Sequence, residues 1–192
     1  MHTLHASFAR FGPLHAQSAD LWRGEIPLPT PLAAFYAQIG PWGETVHANV
    51  GPVGIDIPGV NVCFPPLHRL WSLQAGYRWQ GTRGARLADW PDAWLVIAEQ
   101  NADPFIFERN TGQVLFAFHG AGRWEASVLT QDLATFLAAL AAIGTVYLDA
   151  GDDLEDDDGE LRPAHRDAAL GALATVLGDE AAADRFFETL EW

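Results

Sequence analysis

Residues 89–124 read DWPDAWLVIAEQNADPFIFERNTGQVLFAFHGAGRW, and this stretch constrains the fold more than any other. Residues 93–99 are nearly all apolar, the pattern of a strand covered on both faces. Residues 104–108 and 113–119 follow as two further strands. Between these two, Arg109-Asn110-Thr111-Gly112 suits a type I turn closed by a left-handed glycine. Alternation puts Phe105 and Phe107 on one face of the first strand, and Val114, Phe116 and Phe118 on one face of the second. Such a hairpin stacks aromatics across the ladder, each pair contributing roughly 0.2–1 kcal/mol.

The rest of the chain is punctuated by prolines and glycines. Residues 1–25 carry no clear period, with a short helix expected near residues 16–22 and a free N-terminus around His2 and His5. Thr30-Pro31 is a helix start, Thr30 as cap and Pro31 in the first turn. Leu32, Phe35, Tyr36 and Ile39 then share a face before Gly40-Pro41 stops the helix. Residues 60–64 are a strand candidate, and Pro65-Pro66 opens a helical turn over 67–73. Residues 77–92 read as a loop with one short element. Thr130 is the expected cap of a helix with Leu133, Phe136, Leu137 and Leu140 as its apolar stripe, leading near Tyr147 into a strand or an exit. Residues 163–177, ending at Gly178, and a helix capped by Asp179 with Ala183, Phe186, Phe187 and Leu190 facing inward read as a C-terminal helical hairpin. The expected organisation is a domain over 1–148, an acidic linker over 149–160 and a helical extension over 161–192.

Charge is unevenly placed. The net charge is −14, and residues 149–192 hold 14 of the 25 acids against three of the 11 arginines; there is no lysine. Binding to a nucleic-acid backbone is disfavoured by this balance. A basic protein partner is favoured by it, through electrostatic steering. The single cysteine, Cys63, forms no intramolecular disulfide, and its neighbours VNVCF suggest a packed thiol. The N-terminus lacks a basic region followed by an apolar run, and the apolar run 133–148 is short for a membrane span. A cytoplasmic protein with no membrane partner is the expectation.

Motifs for catalysis are absent. The run DAGDDLEDDDGE fails EF-hand spacing: with Gly159 as sixth position, the first is Leu154 and the twelfth His165. The seven histidines form no spaced ligand set, so no metal or cofactor is expected. No G-x-G-x-x-G, Walker lysine or G-x-S-x-G occurs. One arrangement invites chemistry: if adjacent strands pair, Asp103 approaches His119, and with Glu99 and Trp124 they outline a cleft holding an acid–base couple. The alternative is a structural histidine bonded within a turn. Trp90, Trp94 and Trp124 read as core.

In order and spacing these segments resemble the SMI/KNR-like proteins of the SUKH superfamily, over roughly residues 28–140. The matching pieces are the Leu28-Pro29 helix ending at Gly40, Ile97-Ala98-Glu99 before the turn Asp103-Pro104-Phe105, the hairpin Thr111-Gly112-Gln113-Val114, and Leu133-Ala134-Thr135-Phe136-Leu137. Relatives often carry Gly-Gly before that Asp; here it is Asn101-Ala102, and Asn tolerates the left-handed turn. The resemblance implies an α+β domain, a mostly antiparallel sheet with helices packed against it. It also implies a non-catalytic binding role: bacterial members look like immunity proteins neutralising toxins, fungal ones like regulatory scaffolds. The expected contact residues are Asp152, Asp153, Glu155, Asp156, Asp157 and Asp158, with Asp89, Asp92 and Asp103 as exposed edges, facing a basic toxin domain. A regulatory module, or a small hydrolase or ligand-binding protein using the His119 cleft, are the alternatives.

Overall fold

The computed structural model describes residues 2–45, 47–81, 84–120 and 122–190. Its centre is an antiparallel meander of six strands in sequence order: β1 Ile55–Ile57, β2 Val62–Phe64, β3 Trp94–Gln100, β4 Asp103–Glu108, β5 Val114–Ala117 and β6 Ala126–Thr130. The three expected strands are β3, β4 and β5. Phe105 lies opposite Phe116 with ring centroids 5.1 Å apart, and Phe107 opposite Val114. Gly112 (φ 80) closes that hairpin. Asn101 (φ 52) and Ala102 (φ 72) form the two-residue turn between the paired Gln100 and Asp103. Two successive left-handed residues are what a type I′ hairpin requires, which is why Gly or Asn favours the site. Ala102 adopts that conformation against its Cβ.

Both faces of β3 are covered, as its composition demands. A bulge at Ile97 shifts the register between Val96 and Ala98. Leu95, Phe105, Phe107, Val114 and Phe116 join the helices in the main core. Val96, Ile106, Leu115 and Ala117 lie on the other side with Tyr77 and Trp90. That second layer is the loop 71–92, which among its described residues has no helix or strand after the 3-10 turn Ser72–Gln74, only isolated bridges from Trp79 to Ala75 and Arg86. Its anchor is Gln74, fully buried in the middle of a loop. The Gln74 amide donates to the carbonyls of Val96 (2.8 Å) and Leu70 (3.0 Å) and accepts the Val96 N–H (2.9 Å). A buried primary amide so placed acts as one more rung on the strand.

The helices are α1 His2–Phe11, α2 Thr30–Gln38, α3 Leu67–Leu70, α4 Leu133–Ala150, α5 Pro163–Leu177 and α6 Glu180–Thr189. Several expectations are corrected. The N-terminus is helical: Phe8 is fully buried against Phe35 and Phe64. Residues 16–22 hold only the 3-10 turn Ala19–Leu21. Thr30 is inside α2; Pro29 precedes it and no side chain caps it. Thr130 ends β6, and the cap of α4 is Asp132, whose carboxylate accepts the Thr135 N–H at 2.8 Å. Helix α4 runs through Tyr147 and Leu148 without a strand. Gly144 sits mid-helix because a Cβ there would meet the Phe11 ring at 2.8 Å and Ile57 at 3.1 Å. By length and composition α4 could cross a membrane, but its stripe Leu133, Phe136, Leu137, Leu140 and Ile143 is buried in the core. The C-terminal pair matches the expectation: Gly178 (φ 72) ends α5, and the Asp179 carboxylate accepts N–H groups of Ala181 and Ala182. Ala169, Leu173, Ala183, Phe186 and Phe187 join the main core. The Gln100 amide ties the sheet to the end of α6, donating to Val60 and Leu190 carbonyls at 2.8 and 2.9 Å. The fold is α+β.

Gln74→Leu keeps the bulk but leaves three buried backbone groups without partners, and should cost about 2–4 kcal/mol in urea unfolding. A loss below about 1 kcal/mol would mean that β3 does not depend on the amide. Ala102→Gly should stabilise by about 0.5 kcal/mol, relief of the left-handed Cβ outweighing the added chain entropy. Asn101→Gly should change stability far less; equal effects would show that the turn is unstrained at Ala102.

Candidate functional site

The acidic segment 149–160 is solvated but folded. Leu154 is buried beneath it, and Glu155 bridges Leu161 in antiparallel fashion. The Asp156 carboxylate accepts the N–H groups of Asp158 and Glu160, both at 3.0 Å, while the Asp156 N–H donates to the Glu160 carbonyl. Arg162 closes the base through Nε to the Glu155 carbonyl at 2.9 Å. Asp153 faces His165 Nε2 at 3.0 Å, and Asp149 pairs with Arg10 at 2.7 Å. The hydrogen bond from His165 holds the Asp153 carboxyl below the usual aspartate range. Backbone N–H groups of Glu160 and Asp158 do the same for Asp156. Asp152, Glu155, Asp157 and Asp158 are exposed, and their carboxylates meet no partner among the described residues. Three classes of acid therefore share one turn: structural (Asp156), paired (Asp149, Asp153) and free.

The edge acids divide differently. Asp89 is exposed. Asp92 is exposed too, yet its carboxylate is taken by Arg78 (3.3 Å) and Arg86, so it offers a partner little free charge. Asp103 is not an exposed edge: its side chain is 15% exposed and is bonded within the protein. One Asp103 oxygen accepts the His119 N–H at 2.6 Å and lies 2.7 Å from His119 Nδ1.

Asp103 and His119 thus come together as strand pairing suggested, and Nδ1–H···carboxylate geometry leaves Nε2 of the half-exposed ring free. Glu99, His119 and Trp124 line one open cavity of about 440 Å³ with Leu73, Tyr77 and Ala102. Tyr77 is the member that sequence reasoning missed. Its hydroxyl lies 3.0 Å from both Glu99 Oε2 and the Ala102 carbonyl and has one proton to donate between them. Burial, then the charge of Glu99, raises the Tyr77 phenol well above its ordinary value, so it stays protonated. Trp124 packs on Tyr77 with centroids 5.4 Å apart. Trp90 is buried between Tyr77, Trp94 and Trp124, and so is core as expected. No serine or cysteine side chain bonds His119 among the described residues. Cys63, opposite Glu99 on β2, has its thiol pushed up to about 12, by burial first and then by the charge and hydrogen bond of Asp56. It is a protonated thiol at neutral pH. Among the described residues no group of three or more His, Cys, Asp or Glu is placed to hold a metal.

The acidic turn has a definite pH signature. Asp153 and Asp156 have folded-state values below their unfolded ones. Their contribution is complete above the ordinary carboxylate range, about pH 4, and is lost as the pH falls below it. The amide resonances of Asp158 and Glu160 should therefore titrate with a midpoint below the ordinary aspartate value, and Asp156→Asn should remove that titration. A midpoint at or above the ordinary value would show that the two N–H bonds to Asp156 do not persist in solution.

No family model, curated protein or solved structure matches this chain.

Proposed function

We propose that this chain is a non-catalytic, cytoplasmic protein-binding domain of the immunity-protein kind, whose partner is a basic toxin domain. The observation that carries the reading is the folded acidic turn. A disordered acidic run would lose entropy on ordering against a partner. Here the turn is held by Leu154, Asp156 and Arg162, while Asp152, Glu155, Asp157 and Asp158 stay free. Preorganised charge of one sign steers an oppositely charged partner and raises the on-rate. A nuclease-like toxin with a basic cleft has the complementary field. The resemblance of residues 28–140 to SUKH-type cores points to the same role.

The test is co-expression with a candidate toxin carrying a basic cleft, followed by binding kinetics. Rescue of growth is expected, with an on-rate that falls steeply between about 50 and 500 mM salt. Replacing Asp152, Glu155, Asp157 and Asp158 together by Asn or Gln should slow association about tenfold or more and flatten the salt dependence. Unchanged kinetics would remove the turn as the interface. A stable cellular partner without growth rescue would favour a regulatory scaffold.

A second reading has one specific observation in its favour, the His119–Asp103 contact beside the cavity that Glu99, Tyr77 and Trp124 line. It makes the protein a ligand-binding or hydrolytic domain with His119 as base. His119→Ala would abolish such an activity and leave toxin neutralisation intact.

A further inference from the structure

Three arginines gather on one cavity wall beside the loop layer, on a protein of net charge −14. Residues 23–26, 71–79 and 84–86 line an open cavity of about 810 Å³ whose wall includes Arg23, Arg78, Arg86, Glu25, Trp71 and Trp79. Three guanidinium groups against one carboxylate is the reverse of the chain's overall balance. The Arg78 side chain is 6% exposed and is fixed by the Asp92 and Trp94 carbonyls at 3.1 and 3.2 Å. Its guanidinium lies over the Trp71 ring, 5.7 Å from the centroid. Asp92 is the only carboxylate within ion-pair distance of these arginines among the described residues, and it is shared by Arg78 and Arg86.

Arg23 has no carboxylate partner among the described residues. Its Nη1 donates to the Asp20 and Trp22 carbonyls at 2.7 and 3.2 Å, and its Nε and Nη2 bond to nothing in the described protein. Arg86 Nη2 is taken by Asp92 and the Trp90 carbonyl; its Nε and Nη1 have no partner among the described residues, but they lie on different edges of the guanidinium and each offers a single donor. Burial first, then the charges of Arg86 and Arg109, pull the Arg78 guanidinium below its ordinary value against the opposing pull of Asp92 and Glu25. The pocket thus holds a surplus of positive charge that the protein does not neutralise. Beside it the indoles of Trp71 and Trp79 meet at 5.1 Å and 59°, with Trp22 edge-on to Trp71. The adjacent free Nε and Nη2 of Arg23 suit bidentate binding of a carboxylate or phosphate, Arg86 adds a single donor, and indoles offer flat apolar surface to a ring.

We propose that this cavity is a binding site for a small aromatic oxyanion, a ring bearing a phosphate or carboxylate, with Arg23 and Arg86 taking the anionic group and Trp71 and Trp79 the ring. Arg78 is the fixed wall that supplies field without moving. Glu25 disfavours a second negative group and can accept a hydrogen bond from a ring substituent. The site is separate from the acidic turn and does not depend on the toxin reading.

The indole N–H resonances of the ¹⁵N-labelled full chain, titrated with phenyl phosphate, benzoate, inorganic phosphate and benzyl alcohol, test the proposal. Phenyl phosphate or benzoate is expected to shift the Trp71 and Trp79 signals and to bind at least about tenfold more tightly than either inorganic phosphate or benzyl alcohol. The tighter of the two aromatic anions identifies the oxyanion class. Arg23→Gln unpairs no carboxylate and loses only exposed bonds to the Asp20 and Trp22 carbonyls, so it should lower the melting temperature only slightly and weaken binding about tenfold. Arg86→Gln should act in the same direction. Absence of any shift at millimolar ligand would overturn the proposal. So would affinity for inorganic phosphate or benzyl alcohol equal to that of the aromatic anions, or affinity unchanged in the Arg23→Gln, Arg86→Gln double variant.

Discussion

The amide of Gln74 against the backbone of Val96 is the contact on which the loop layer over the sheet depends. β4 pairs with β3 along its length, but on the other side β2 reaches it at Cys63–Glu99 alone. The remainder of that edge would carry unpaired N–H and C=O groups beneath apolar side chains, at a cost of about 1–3 kcal/mol each. Gln74 satisfies both groups of Val96 and the Leu70 carbonyl with one side chain. In doing so it fixes the loop 71–92 over the outer face of the sheet. Tyr77, Trp79 and Trp90 take their places from that anchor, and with them both the cleft beside His119 and the arginine–tryptophan cavity.

The acids sort by what their carboxylates touch rather than by their density in the sequence. Asp103 is bonded to His119, Asp92 to two arginines, Asp132 and Asp179 to helix N-termini. Glu108 is another such case: burial alone would raise its carboxyl, but hydrogen bonds from Thr111 and Asn110 outweigh burial and hold it low. Each of these charges shapes the chain and is poorly placed to attract a partner. In the turn after α4, one aspartate, Asp156, organises the backbone so that its neighbours need not. Surface charge available for recognition is therefore concentrated there. The arginines follow the opposite course, three of them gathered into one cavity wall.

What the sequence revealed and what it concealed follow from the range of the interactions. The β4–β5 hairpin and the α5–α6 junction are local: period-two aromatics, Gly112, Gly178 and the Asp179 cap announce them within a few residues. Strand pairing then brought Asp103 to His119, an inference of the same short range. α1 was hidden because Phe8 becomes core only against Phe35 and Phe64, far along the chain. Gly144 gives no sign of its role either: its missing side chain is a packing requirement set by Phe11, distant in sequence. Thr130 and Asp132 are both acceptable caps by residue type, and the two residues of difference are decided by where β6 ends. Gln74 and Tyr77 carry no signal at all, since a polar or aromatic residue in an aperiodic loop has no face to declare.

Ala102 bears on the choice between a binding domain and an enzyme. A left-handed residue with a Cβ at the rim of a cleft invites a reading of strain held for catalysis. The cost of that conformation is about 1–2 kcal/mol. Yet the turn points the Ala102 carbonyl at the Tyr77 hydroxyl, a hydrogen bond that contributes about 1 kcal/mol. It also completes the type I′ geometry that sets the β3–β4 register, placing Asp103 opposite Gln100. The strain is thus met largely by local bonding that fixes the hairpin and its phenol. His119, beside the same turn, is held by a backbone and a ring contact to one carboxylate oxygen. The cleft is built as a fixed corner of the sheet.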